Sequence, residues 1–319
     1  MDTKSLILSS TLVMDTGLKQ LKQLKQLTFL DLSDTKVSDS GLKELKELKQ
    51  LNHLKLSYLV TDAGLKELKE LKQLTSLDLS FTKVTDTGLK ELKELKQLTE
   101  LDFSCTEVTD AGLKELKELK QLIHLSLHGT KITDTGLKEL RGLKQLKALN
   151  LFGTEVTDLK ELKELKELTG LVLSLTKVTD AGIKGLEELR QLNFLHISAT
   201  KITDAGLKAL KELKELKQLD ISTNNITDAG LKELKELKQL TLLYLSTTKV
   251  TDAGLKELKE HKQLNYLDLQ ETGMTDVGLK ELKGLKQLKQ INLSSTKVTE
   301  AGLKEFRNEL PNCSILKYE

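Results

Sequence analysis

Two histidines, His124 and His128, are the residues of this 319-residue chain that most directly suggest chemistry. They lie in the alternating stretch LIHLSLHG, which reads as a strand, and four strand residues span about 13 Å. One metal ion cannot take both. Glu100 and Asp102 are expected to approach His124 from the neighbouring turn, but no thiol or second histidine completes a zinc ligand set. Cys105 and His128 fall close in register, yet a nucleophile also needs an orienting group and an oxyanion site, and neither is evident. His196 and Asp220 read as a surface ion pair worth at most about 1 kcal/mol. The glycines follow aspartate at regular intervals and build no phosphate-binding loop. The two cysteines, Cys105 and Cys313, have neither C-x-x-C spacing nor a disulfide framework. The residues therefore point to no catalytic constellation, no metal and no cofactor. The chain reads as a non-enzyme.

What must position these side chains is a 24-residue unit, LTSLDLSFTKVTDTGLKELKELKQ at Leu74–Gln97, which recurs from end to end. Counting from Thr3, 13 such units follow one another, with a terminal strand expected near 313–316. Repetition at this period predicts a solenoid, here a single domain over residues 1–319. Positions 1, 4, 6 and 11 of each unit are apolar, and the L-x-L at 4 to 6 suits a strand with one buried face. Aspartate at 13 favours a helix start, and leucines at 16, 19 and 22 predict a helix of two to three turns. Two units are irregular. The one starting at Leu51 is a residue short near Leu59, and the one starting at Leu146 lacks the small-residue–Gly pair after Asp158. A loop between strand and helix is expected to absorb both.

The pattern LxxLxLSxTxVTDxGL resembles the leucine-rich repeat, whose usual core is LxxLxLxxNxL. It is most similar to the T-D-x-G-L variety of bacterial repeat proteins and F-box-type substrate receptors. The resemblance implies an α/β fold: a right-handed solenoid or horseshoe with parallel strands on its concave face and short helices on its convex face. It also implies a bond between adjacent turns from the Asn of the core. Position 9 is Thr in 11 of 13 units here, Asn224 in one and Leu59 in one. A Thr hydroxyl is expected to do the same work with fewer bonds, and Leu59 predicts an irregular turn near Tyr58. No cysteine-rich caps and no signal peptide are seen, so the expected location is cytoplasmic. The first strand, with Leu6 and Leu8, reads as an uncapped edge open to self-association.

Lys and Arg total 50 against 48 Asp and Glu, a net charge of +2 that by itself suggests no polyanionic partner. Variation among the units gathers at positions 3, 5 and 8, with exceptions at 7. These columns hold seven of the ten Phe and Tyr residues: Phe29, Tyr58, Phe81, Phe152, Phe194, Tyr244 and Tyr266. They also hold His53, His124, His128 and His196. Eight carboxylates in them, Asp78 and Asp102 among these, face one base, Lys55, for a sum of −7 that leaves +9 elsewhere. Such a face repels phosphates, which argues against nucleic acid. No stretch approaches the roughly 20 apolar residues that span a membrane. The expected function is recognition of a protein partner of basic character through the concave face. The expected contact patch is Phe152, Val172, Leu175, Phe194, His196, Asp220, Leu242, Tyr244 and Tyr266. Phe29, Tyr58, Phe81, Asp78, Glu100, Asp102, His124 and His128 are secondary candidates. The alternatives are an assembly solenoid joined through its ends, or the substrate-receptor part of a larger complex.

Overall fold

The computed structural model describes residues 3–318. The chain forms two compact units, Met1–Glu155 and Val156–Glu319, each taken here by itself. In the first, seven strands run from Ser5–Ile7 to Ala148–Asn150; in the second, seven run from Gly170–Val172 to Ser314–Leu316. Within each unit the strands are parallel and follow chain order. Each strand takes positions 3 to 5 of its repeat, and the register advances by one repeat per step, so Leu54 faces Leu77 and Leu219 faces Leu243. Strands lie on one side and short helices on the other, an α/β solenoid.

The leucines between the layers are fully enclosed. In one repeat Leu74, Leu77, Leu79, Val84, Leu89, Leu92 and Leu95 are all at most 1% exposed. Each such side chain contributes about 1.5–3 kcal/mol of transfer free energy. The helical half has the expected two to three turns but is wound more tightly than an α-helix. A single α-turn, Asp86–Leu89, runs directly into a 3₁₀ segment, Lys90–Glu94. The reason lies in the spacing. Leucines at intervals of three eclipse on a helix with three residues per turn, whereas on an α-helix they would drift round the axis.

The T-D-x-G-L motif works differently from its sequence reading. Thr, not Asp, caps the helix: the Thr85 hydroxyl accepts a hydrogen bond from the Thr87 amide at 3.3 Å. The aspartate is the first helical residue, and its carboxylate reaches the next repeat. Asp86 accepts the Thr109 amide at 2.7 Å and the Thr109 hydroxyl at 2.6 Å. The same clamp joins Asp39 to Thr61 and Asp276 to Thr299. The hydroxyl and amide of Thr299 hold the Asp276 carboxyl below its ordinary range. Glycine follows because a Cβ at Gly88 would overlap the Asp62 carboxylate that clamps that turn.

Position 9 also departs from expectation. Its Thr hydroxyls turn back on their own repeat, as when Thr82 donates to the Leu79 carbonyl at 2.6 Å. Asn224 does bridge two repeats: it accepts from the Thr200 amide at 2.9 Å and donates to the Ile197 carbonyl at 2.7 Å. A hydroxyl is too short to span that gap, so the aspartate clamp provides the bond between repeats instead. Near Leu59 the buried Ser57 hydroxyl donates to the Thr35 carbonyl at 2.7 Å. The deletion after Asp158 is absorbed by packing rather than by a loop. The α-turn is absent, the 3₁₀ segment Lys160–Glu164 stands alone, and backbone from 157 to 160 sits where Cβ atoms at Gly182 and Gly185 would be.

Candidate recognition surface

Positions 3 and 5 of each strand point away from the leucine core, because side chains alternate along a strand. In the second unit this face carries a run of rings. Phe194 and His196, two apart on one strand, have centroids 4.2 Å apart. His196 meets the Tyr244 ring edge at 6.2 Å, reaching past the strand Gln218–Asp220 that lies between them. Tyr244 and Tyr266 are 5.0 Å apart. All four rings are half-buried, and so are Leu242, opposite Tyr266, and Val172, opposite His196. Leu175 is 55% exposed at the turn that ends its strand.

Sequence reasoning missed Gln218, whose side-chain amide lies 2.8 Å from His196 Nε2. That amide donates to the neutral ring. Burial holds the His196 pKa below its usual value, although Asp220 opposes the shift. Among the described residues His196 and Asp220 form no ion pair, which corrects the expected one. The Asp220 carboxylate instead accepts the Ser222 amide at 2.9 Å. This bond recurs: Asp31, Asp78, Asp102 and Asp268 each accept the amide two residues on, closing the turn at the strand end. The acidic column at position 5 is therefore part of the scaffold as well as a source of field. Burial raises the Asp268 pKa and pushes the Tyr266 hydroxyl up to about 12, so that hydroxyl remains a donor at neutral pH.

Phe152 belongs to the first unit, where its ring stands 4.7 Å from His128. Phe29 and His53 form a looser pair at 6.1 Å. Asp78 and Asp102 are opposite in register, and Lys55 lies 3.9 Å from Asp78. Glu100 Oε1 is 3.5 Å from His124 Nδ1, an exposed contact. Among the described residues no three His, Cys, Asp or Glu side chains are grouped to hold a metal ion. Both cysteines are free thiols, Cys105 exposed and Cys313 buried. A further feature was not legible in the sequence. Position 8 has a left-handed backbone in repeat after repeat, with φ of 53° at Asp34, 60° at Phe81, 58° at Leu175 and 53° at Glu271; Tyr58, beside the one-residue deletion, does not share it. On the outer face of the second unit an open groove of about 360 Å³ is lined by Asp180, Lys184, Glu187 and Lys208, a mixture of charges with no convergent group.

Stacked parallel strands backed by short helices define the class: a repeat solenoid with an open strand face. Models of the leucine rich repeat match residues 190–250, and 24–46, 72–93 and 96–117. In fold the chain is similar to an internalin (inlF) from Listeria monocytogenes, at 24% identity and a TM-score of 0.72, covering 90% of this chain and 86% of that one. It is also similar to a leucine-rich-repeat protein of Leptospira interrogans, at 24% identity and a TM-score of 0.65, covering 98% and 95%. A plant peptide hormone receptor, RGFR1, solved in complex with RGF2, is similar at 14% identity and a TM-score of 0.54, covering 98% of this chain and 62% of that one. No curated protein matches. The chain therefore has the leucine-rich-repeat fold, and the matched segments are leucine-rich repeats. Among the described residues no helix is long and apolar enough to cross a membrane.

Proposed function

We propose that this chain is a non-catalytic recognition module that binds a protein partner of basic character through the strand face. One observation carries the reading. In a chain with ten Phe and Tyr residues, Phe194, Tyr244 and Tyr266 join through His196 into one half-exposed run, with Asp220 and Asp268 beside it. Rigid aromatic rings carry much of the energy at protein interfaces, and flanking carboxylates steer cationic partners. The plant receptor of similar fold is a peptide hormone receptor, which supports polypeptide binding by this architecture.

The test uses a partner captured by the intact chain. Tyr244→Ala or Tyr266→Ala should weaken it by about 1–3 kcal/mol with folding unchanged. Asp78→Asn with Asp102→Asn, which keep the acceptor that closes each turn as Asn150 and Asn292 do, should mainly slow association and change its salt dependence. Neutralising Lys90, Glu91, Lys114 and Glu115 on the outer face should change little. A rival reading, assembly through the chain ends, draws on the exposed Ile7 and Leu12, 64% and 80% accessible. It predicts sensitivity there and none at the rings. Loss of binding confined to the outer set would end the strand-face reading.

A further inference from the structure

The first unit has a feature of its own on the same side as its strand ends. A recess of about 240 Å³ is lined by Asp34, Lys55, Tyr58, Asp78, Ser80 and Phe81. Its origin is the shortened repeat. In regular repeats the amide at position 8 donates to the strand-end carbonyl of the next repeat, as Phe81 does to Ser104 at 2.8 Å and Cys105 to His128 at 2.7 Å. Among the described residues this bond is missing at Asp34, in the turn before the deletion, and at Tyr58, in the shortened turn itself. The Ser80 carbonyl is thereby left without a backbone donor. Two rings stand at the opening, Tyr58 at 44% exposure and Phe81 at 66%.

We propose that this recess seats the cationic side chain of an arginine or lysine presented by a polypeptide partner. The inference deepens the strand-face reading and rests on it. Three observations converge. The volume is below the roughly 300–1,000 Å³ of small-molecule pockets, so it suits one side chain rather than a whole ligand. Its charged acceptors outnumber its charged donor: the Asp34 carboxylate and the second oxygen of Asp78, with the Ser80 carbonyl beside them, face Lys55 alone. The other donors there, the Asp34 and Tyr58 amides and the Tyr58 and Ser80 hydroxyls, are neutral. Asp78 spends one oxygen on the Ser80 amide at 2.9 Å, while its other lies 3.9 Å from Lys55, the outer limit of an ion pair. Two carboxylates against one ammonium leave a net charge of −1, and aromatic faces beside that charge favour a cation further. Lys55 is the internal competitor that a guest must displace or share with.

The test titrates the full-length chain with n-butylguanidinium chloride and, in parallel, the neutral n-butylurea, followed by amide-resolved NMR. Saturable shifts are expected at residues 33–34, 55–58 and 78–81 with the guanidinium alone. Phe81→Ala should weaken binding by about two- to fivefold, the range for an exposed cation–π contact. Asp34→Asn should weaken it as well, and Lys55→Gln should strengthen it. Asp34 and Phe81 are exposed turn residues, so these variants fold, and their spectra report it directly. Equal response to butylurea, shifts spread over every acidic position, or indifference to all three substitutions would each overturn the assignment. The probe has no need of Tyr244 or Tyr266. Failure here thus leaves the second unit's surface standing, whereas loss of partner binding in Tyr266→Ala with guanidinium binding intact bears on that surface alone.

Discussion

His261 occupies position 22, where other repeats bury a leucine such as Leu237 or Leu285, and it is itself wholly inaccessible. Its Nε2–H donates to the Leu234 carbonyl at 3.1 Å, which leaves Nδ1 as a buried acceptor with no partner. Replacing it with leucine removes that orphan, a gain of about 1–3 kcal/mol, and forfeits one hydrogen bond worth about 0.5–1.5 kcal/mol. The leucine is also more apolar and is already accommodated at this position in neighbouring repeats. His261→Leu should therefore stabilise the protein by about 1–2 kcal/mol at pH 8. The pH dependence gives a second, sharper reading. Burial holds the His261 pKa below the ordinary 6.5, with the Leu234 and Leu258 carbonyls pulling the other way. On acidification the unfolded chain takes up this proton before the folded chain does. Stability is then lost as pH falls below about 6.5, with a limiting slope near 1.4 kcal/mol per pH unit for one proton. Urea unfolding of both proteins from pH 8 to 5 isolates the effect, since every other titrating group is shared. The gap in favour of the variant should widen toward pH 5. Parallel stability curves, or a variant no more stable at pH 8, would refute the reasoning.

Three further outcomes follow from the scaffold. Asp86→Ala strands the Thr109 amide and hydroxyl, and should cost about 1–3 kcal/mol in the same unfolding assay. Gly88→Ala drives a methyl into the Asp62 carboxylate; it should destabilise clearly alone, and pairing it with Asp62→Ala should give less than the sum of the two losses. Leu175→Gly relieves a left-handed backbone at φ 58°, and should change stability little or raise it by about 1 kcal/mol despite removing an apolar side chain that is 55% exposed. A large loss there would mean that Leu175 packs as core.

Much of the fold was legible because a repeated sequence reports its own register. Thirteen copies set apolar positions apart from variable ones, and those columns became the buried leucines and the open strand face. The sequence likewise grouped Phe194, Tyr244 and Tyr266 by column, and the structure brings them together with His196 as the link. Phe152, grouped with them by column alone, instead pairs with His128.

Periodicity determined which residues are interior, since that depends only on side-chain direction along a strand or a tight helix. It could not decide what a polar group bonds to, because partners about 24 residues away depend on how far each side chain reaches. Asp86 and Thr109 are 23 positions apart, and only the stacking of one repeat on the next makes the aspartate a clamp rather than a cap. The same limit applies to the acidic column, read as a field and found also to close turns. It applies to the deletion at Leu59, read as a local irregularity. Tertiary structure turned that missing residue into a recess, because a gap in one repeat is felt by its own turn and by the turn before it.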